Sequence, residues 1–314
     1  MRGLKISSVL RFMRTYTLLT GYPVPAPPGF ASQWSRGLDL KRRGSRYLLF
    51  TGALYQLVPY INATVRFLSL MESRGLSDLL DVAESLAKLR PSYLQGLVRP
   101  DPREVEEYNG ILRSIASLLA SSQVDFMYDP AVSNMYSGAL LFDYGIADGL
   151  REHATKVAKA IESEGEVEGV ITIDPHTTLT LMHYRELVGF DIKVVNYLEL
   201  VKPRLSTQIK ATIHDSCIYA RDLGLADRVR SLLKGAGVSL VEPRNHGTRT
   251  SCCGGPVESL SPGLAEAIAV RRVRELREAS DMAIAMCPIC LSNLRRAGGS
   301  VVDIALVLNG LVKQ

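Results

Sequence analysis

The sequence predicts an α/β fold with two pseudo-repeated lobes, each a small parallel sheet flanked by helices. Short apolar runs alternate with amphipathic helical stretches, an order typical of parallel sheets that are covered on both faces. This alternation begins near residue 47 and is repeated, more compactly, after residue 200. The length of 314 residues is also that of about two domains of ordinary size.

The predicted elements divide the chain into three parts. Residues 1–46 include a proline-rich stretch at 21–30 and are expected to form an extended N-terminal arm. The first lobe is expected over residues 47–200 and the second over residues 201–314. Strands are predicted at 47–50, 124–127, 170–173, 192–195, 209–213, 238–241 and 282–286. Helices are predicted at 53–71, within 77–119, at 140–161, 179–188, 218–233 and 263–279, and from 291 onward.

Composition and charge exclude several classes of function. The formal net charge is +5, with 46% hydrophobic and 22% charged residues, and the basic residues are scattered along the chain. We therefore expect no nucleic-acid partner, although an anionic substrate or an acidic partner would suit the surface. No apolar run reaches about 18 residues, so no transmembrane segment is predicted. Basic residues interrupt the N-terminus where a signal peptide would need an apolar core, and the expected location is cytoplasmic.

The cysteines are the most informative residues of the sequence. All five lie in its last third, and their order is a single cysteine, an adjacent pair and a Cys-x-x-Cys pair: Cys217, Cys252, Cys253, Cys287 and Cys290. Disulfides are disfavoured in the cytoplasm, and an odd number would leave one thiol unpaired. The predicted elements place each group at a strand-to-helix junction or just before a helix. In a parallel sheet these points share one edge, where helix N-termini favour thiolates.

Several interpretations of the cysteines remain open from spacing alone. Structural zinc uses Cys-x-x-Cys half-sites but needs only four ligands, and buried cysteines can also be plain core residues. An iron–sulfur cluster held by thiolates uses the set more fully. His214 and His246 flank the cysteine loops and are expected to make loop hydrogen bonds rather than to bind metal. A second, harder metal site on Asp129, Asp174 and His176 is a less favoured alternative to loop aspartates and a surface histidine.

The cysteine motifs resemble those of a known domain. Cys217, Cys252-Cys253-Gly254 and Cys287-Pro288-Ile289-Cys290 are similar to the cysteine-rich CCG domain that occurs in heterodisulfide reductase and in related dehydrogenase complexes. The resemblance implies an iron–sulfur cluster of the [4Fe-4S] type, in some members a non-cubane form, with these five cysteines as ligands. It further implies an electron-transfer subunit of a heterodisulfide reductase-like oxidoreductase complex. The alternative is a non-catalytic scaffold or assembly subunit with a structural zinc or iron–sulfur site.

The first lobe resembles a second copy of this domain that has lost its ligands. Ala53 stands where Cys217 would be, while Asp174 and Thr177 replace the Cys-x-x-Cys pair. Tyr128-Asp129-Pro130 lies near the place of the Cys-Cys-Gly, a weak match. The resemblance thus implies one cluster, a partner subunit with ferredoxin-type clusters, and a thiol or disulfide as a substrate class. Two-electron cleavage of a disulfide would need another redox site, from that partner or from a second copy in a homodimer.

Overall fold

The protein has two four-stranded sheets with every strand parallel, which confirms the predicted α/β fold of two pseudo-repeated lobes. The structure is a computed structural model and describes residues 4–312. Strands β1 to β4 form the sheet of the N-terminal lobe, and β5 to β8 form that of the C-terminal lobe. The strands are β1 Tyr47–Phe50, β2 Phe126–Met127, β3 Gly169–Thr172, β4 Val194–Asn196, β5 Lys210–His214, β6 Ser239–Val241, β7 Ala283–Ala285 and β8 Val301–Asp303.

Both sheets have the same strand order, which establishes the internal repeat in three dimensions. The order is β2-β1-β3-β4 in one lobe and β6-β5-β7-β8 in the other. The winding therefore reverses between β1 and β3, and again between β5 and β7. In such sheets a crevice opens at the carboxyl ends of the two strands that flank the reversal, and ligands bind there. The cysteine-bearing segments follow β5, β6 and β7, at this end of their sheet.

Helices cover the sheets on both sides. Those before β5 are α1 Ile6–Thr20, α2 Leu54–Arg74, α3 Leu79–Leu89, α4 Ser92–Gln95, α5 Pro102–Ser121, α6 Pro130–Ser133, α7 Ala139–Asp143, α8 Ala147–Glu162, α9 Pro175–Val188 and α10 Tyr197–Leu200. Those after β5 are α11 Cys217–Arg221, α12 Ala226–Gly235, α13 Pro262–Ala279, α14 Pro288–Arg296 and α15 Ile304–Leu308. Short 3-10 helices lie at Phe30–Ser35, Gly247–Arg249 and Pro256–Ser259. Within residues 4–312, no helix combines the length and the apolarity needed to cross a bilayer.

The expectation of an extended N-terminal arm is wrong for α1. This 15-residue helix buries Val9, Met13 and Tyr16, and Arg11 on its outer side pairs with Glu84 of α3 at 3.2 Å. The basic residues that interrupt the apolar pattern therefore occupy the polar face of an amphipathic helix. The proline-rich stretch after α1 is irregular, as predicted. The lobe boundaries at 46/47 and 200/201 stay predictions, and residues 1–3 and 313–314 lie outside the described part.

Other differences from the predicted elements have local causes. The helices predicted at 140–161 and 218–233 each divide into two, at Gly145 and Gly224, whose φ angles of +66° and +64° are incompatible with a continuous helix. Helix α9 begins at Pro175, earlier than predicted, because the Asp174 carboxylate accepts a hydrogen bond from the Thr177 amide and caps the helix. Strand β8 has no counterpart among the predicted elements, which end with the helix from residue 291 onward.

Two reciprocal hydrogen bonds join the lobes and reflect the repeat. Tyr55, in the first turn after β1, donates its hydroxyl proton to Asp303 at the end of β8, at 2.9 Å. Tyr219, in the first turn after β5, accepts a hydrogen bond from Asn196 at the end of β4, also at 2.9 Å. All four side chains are buried. Each lobe thus uses an equivalent tyrosine to contact the last residue of the equivalent strand in the other lobe. These contacts hold the carboxyl ends of the two sheets close together.

Candidate metal centre

The five cysteines come from three segments that meet at the crevice between β5 and β7. Cys217 is the first residue of α11, directly after β5, and Cys287 is the N-cap of α14, directly after β7. Cys290 lies in the first turn of α14, and Cys252-Cys253 lie in the loop between β6 and α13. The strand-to-helix placement inferred from the sequence is therefore the observed one. Their role as ligands stays a prediction until metal is measured.

The thiols lie near one another. The sulfurs of Cys253 and Cys290 are within 4.8 Å of each other, and Cys252 beside Cys253 and Cys287 beside Cys290 are close enough to shift the pKa values of these neighbours. Cys217 lies close enough to Cys287 and Cys253 for the charge of either thiolate to raise its pKa. Cys253, Cys287 and Cys290 are buried, Cys217 is partly buried and Cys252 is exposed. The group is thus enclosed on the α14 side and open to solvent at Cys252.

The thiols are divided between two that ionise readily and others that do not. The neighbouring thiols of Cys252 and Cys290, with the ring of His214 nearby, hold the pKa of Cys253 well below its usual value. Burial raises the pKa of Cys287, but the neighbouring Cys290 and His176 outweigh it and lower that pKa to about 5. Burial raises the pKa of Cys217. Cys253 and Cys287 are therefore the thiols that ionise most readily, and bound metal would deprotonate the rest.

Two glycines let the paired cysteines reach the site. Gly254 has a φ of +83°, and a Cβ there would lie 2.5 Å from the backbone oxygen of Ala265. A Cβ at Gly255 would lie 2.5 Å from Cγ2 of Ile289 and 3.3 Å from the sulfur of Cys253. Both positions exclude any larger residue unless neighbouring groups move. Glycine is therefore required at both positions because a side chain would clash with neighbouring atoms. At Gly254 the positive φ is a second reason, since it favours glycine over other residues.

Unpartnered polar groups surround the thiols and allow a test of what the site could hold. The Nε2 of His214, the hydroxyl of Ser216 and the Nδ2 of Asn293 are buried, and none has a hydrogen-bond partner among the described residues. A ring nitrogen of His214 and the sulfurs of Cys253 and Cys290 all lie within 4.8 Å of one another. Buried donors without acceptors are costly, so the cavity suits an anionic, acceptor-rich group. A thiolate-bound iron–sulfur cluster fits this donor set.

Two acidic residues near the site are buried and only partly ionised near neutral pH. Burial raises the pKa of Asp174 to about 7 and that of Glu258 to about 7, although Arg296 beside Glu258 acts in the opposite direction. Keeping these carboxyl groups partly neutral reduces the repulsion on neighbouring thiolates. His246, by contrast, bonds the backbone oxygen of Pro243 at 2.8 Å and takes the loop role expected of it.

The alternative site on Asp129, Asp174 and His176 is not formed in the described part of the chain. The Asp129 and Asp174 carboxylates cap α6 and α9. His176 is buried rather than at the surface, bonds Asp143 at 2.8 Å and lies close enough to Cys287 to lower the pKa of that thiol. Burial lowers the pKa of His176, but Asp143 outweighs that effect and raises the pKa well above its usual value. Sequence reasoning missed this contact because it joins residues of different lobes.

The equivalent crevice of the N-terminal lobe has the same backbone features without thiols. The hydroxyls of Ser137 and Thr177 lie 3.1 Å apart, and the equivalent sulfurs of Cys253 and Cys290 in the other lobe lie within 4.8 Å of each other. Gly138 has a φ of +80°, matching Gly254. Tyr136-Ser137-Gly138 therefore stands where Cys252-Cys253-Gly254 does, and the suggested match to Tyr128-Asp129-Pro130 is wrong. Tyr128 directly follows the end of β2, whereas Cys252 lies many residues after the end of β6, so the two segments do not occupy equivalent positions.

Comparison with known protein families agrees with this geometry. Residues 211–295, which include all five cysteines, match the family model of the CCG cysteine-rich domain. This segment is a CCG domain. It extends from β5 to α14, and the N-terminal lobe lies outside the match.

Characterised proteins with detectable similarity to the chain include oxidoreductases. An EtfAB:quinone oxidoreductase of Syntrophomonas wolfei is 26% identical over 161 residues, which are 45% of this chain and 22% of that protein. A fumarate reductase (CoM/CoB) subunit of Methanothermobacter marburgensis is 23% identical over 180 residues, 54% of this chain and 36% of that one. A probable membrane-anchored ferredoxin of Chromohalobacter salexigens is 26% identical over 146 residues, 40% and 22% of the two chains. The matched segments thus span between 22% and 36% of the length of these relatives.

Proposed function

We propose that the chain is an electron-transfer subunit of a heterodisulfide reductase-like oxidoreductase complex, with one iron–sulfur cluster on Cys217, Cys252, Cys253, Cys287 and Cys290. The observation that supports the proposal is that all three cysteine-bearing segments follow β5, β6 and β7 at one switch point of a parallel sheet, where the sulfurs of Cys253 and Cys290 lie within 4.8 Å of each other. Such a cluster supplies one-electron transfer when it is bound. The protein would supply thiolates, exclude water around Cys287 and Cys290, and leave the Cys252 side open.

The N-terminal lobe supports the proposal of a single cluster. Its equivalent positions hold Ala53, Tyr136, Ser137, Asp174 and Thr177. None of these offers a thiolate, and the side chains of Ser137, Asp174 and Thr177 already make hydrogen bonds within the lobe. We therefore propose that a reaction needing two electrons depends on a further redox site. A partner subunit with ferredoxin-type clusters would supply it, as the names of the relatives suggest.

Metal analysis tests the proposal directly. The full chain, expressed with ample iron and purified without oxygen, is expected to contain about four irons and as much acid-labile sulfide. Cys253→Ser is expected to lose the cluster or change its visible and EPR spectra. Ser137→Ala, at the equivalent position of the other lobe, is the matched control and should keep the wild-type iron content. Stoichiometric zinc without sulfide would contradict the proposal and favour the structural scaffold.

A further inference from the structure

One side chain beside the thiols, His214 at the end of β5, has a ring nitrogen with no partner. Its exposed fraction is 1%, and its Nε2 makes no hydrogen bond to the described residues. A ring nitrogen of His214 lies within 4.8 Å of the sulfurs of Cys253 and Cys290. Histidine is a common metal ligand, so its position alone would allow it to bind metal. The group on the other side of the ring decides between a ligand and a donor.

That group is the guanidinium of Arg272, which is fully buried. Its Nε donates to Nδ1 of His214 at 3.1 Å. Its remaining donors are directed to the Asn245 oxygen at 3.0 Å, to Glu275 at 2.8 Å and to the Thr250 hydroxyl at 3.4 Å. A guanidinium can only donate, so Nδ1 must offer its lone pair. In a neutral imidazole the proton then lies on Nε2, and a protonated nitrogen has no lone pair for a metal.

Asn293 of α14 is held in a similar way near Cys253. Its side-chain oxygen accepts a hydrogen bond from the guanidinium of Arg296, which leaves the buried Nδ2 without a partner among the described residues. A Cβ built at Gly255 would be 3.5 Å from this Nδ2 and 3.3 Å from the Cys253 sulfur. The amide nitrogen of Asn293 and the sulfur of Cys253 therefore border the same small space next to Gly255. An arginine thus fixes the donor orientation of Asn293 as another does for His214.

We propose that His214 and Asn293 are positioning residues that donate N–H hydrogen bonds to the sulfurs of the bound cluster and are not ligands. The inference rests on the proposed function, because it concerns the potential of that cluster. A donor bond to a sulfur stabilises the reduced state, which carries more negative charge, and so raises the reduction potential. The two arginines prevent these side chains from turning an acceptor toward the thiolates.

Three substitutions of His214 and its neighbours separate a donor from a ligand. His214→Leu is expected to keep the wild-type iron content. The equilibrium constant for reduction of its cluster should fall about tenfold, which lowers the one-electron reduction potential by about 59 mV. In His214→Gln the side-chain oxygen can accept a hydrogen bond from Arg272 while the amide nitrogen donates one to the cluster. This variant should therefore have a reduction potential close to that of the wild type. Asn293→Leu should shift the potential in the same direction as His214→Leu. The control His246→Leu, whose histidine bonds only the loop oxygen of Pro243, should not change the potential.

The measurements are iron content, an EPR-monitored redox titration and the tautomer of His214 by nitrogen NMR with labelled histidine. Loss of iron in both His214→Leu and His214→Gln would show a ligand, and an unchanged potential in His214→Leu would remove the donor role. Iron-free wild-type protein would instead refute the proposed function. In that case the tautomer of His214 still tests the inference separately. A proton on Nδ1 would overturn it, and a proton on Nε2 would support the role of His214 as a donor.

Discussion

Gly254→Ala should destabilise the C-terminal lobe through two separable effects. A non-glycine residue at a φ of +83° costs about 1–2 kcal/mol. The new Cβ would also lie 2.5 Å from the Ala265 oxygen, which belongs to the backbone of α13 and cannot move as a side-chain end can. Overpacking of this kind costs about 1–3 kcal/mol. The expected total loss is therefore about 2–5 kcal/mol in the free energy of unfolding.

Gly298→Ala is the matched control for this prediction. Gly298 has a φ of +85°, and the nearest atom to a Cβ there would be the flexible end of Arg277 at 3.9 Å. It should lose only the backbone component, about 1–2 kcal/mol. Urea unfolding of the reduced, metal-free full chains gives the comparison, and the difference between the variants measures crowding alone. Equal losses, within about 0.5 kcal/mol, would refute the steric account of the Cys-Cys-Gly turn.

Two further predictions concern the acidic residues of the lobe interface. Burial raises the pKa of Asp303 to about 6, so the folded state binds the extra proton and stability should fall as the pH rises from about 4 to about 6. Asp303→Asn should make this loss of unfolding free energy smaller by about 3 kcal/mol. Urea unfolding across the same pH range measures the effect, and an unchanged dependence of stability on pH would count against the prediction. The double variant Asp174→Asn, His176→Gln should retain the wild-type iron content because it changes none of the five proposed ligands, whereas a loss of half or more would show that these side chains take part in metal binding.

Much of the fold and of the candidate centre could be predicted from local features of the sequence. Strand Tyr47–Phe50 has the predicted bounds, and the other predicted strands agree within a few residues, because a buried parallel strand is a short continuous apolar run. The five cysteines were found for a similar reason. Their spacing places each group at a strand-to-helix junction, and parallel strands bring those junctions to one edge.

Contacts between distant segments decided the rest. The basic residues of α1 interrupt its apolar pattern, and the helix is stabilised by contacts such as that of Arg11 with Glu84, more than 70 positions away. The equivalence of Ser137 with Cys253 follows from their contacts with Thr177 and Cys290 and from the glycines that follow them.

The orientation of His214 shows this division most clearly. The sequence alone determined that a histidine lies three residues before a cysteine, and with it which chemistry the segment could offer. Whether that histidine binds metal or donates a proton depends on which nitrogen carries the hydrogen. Arg272, 58 positions along the chain, decides it by occupying the other nitrogen. Tautomers follow from the partners that the folded chain assembles, so only the tertiary structure could determine this one.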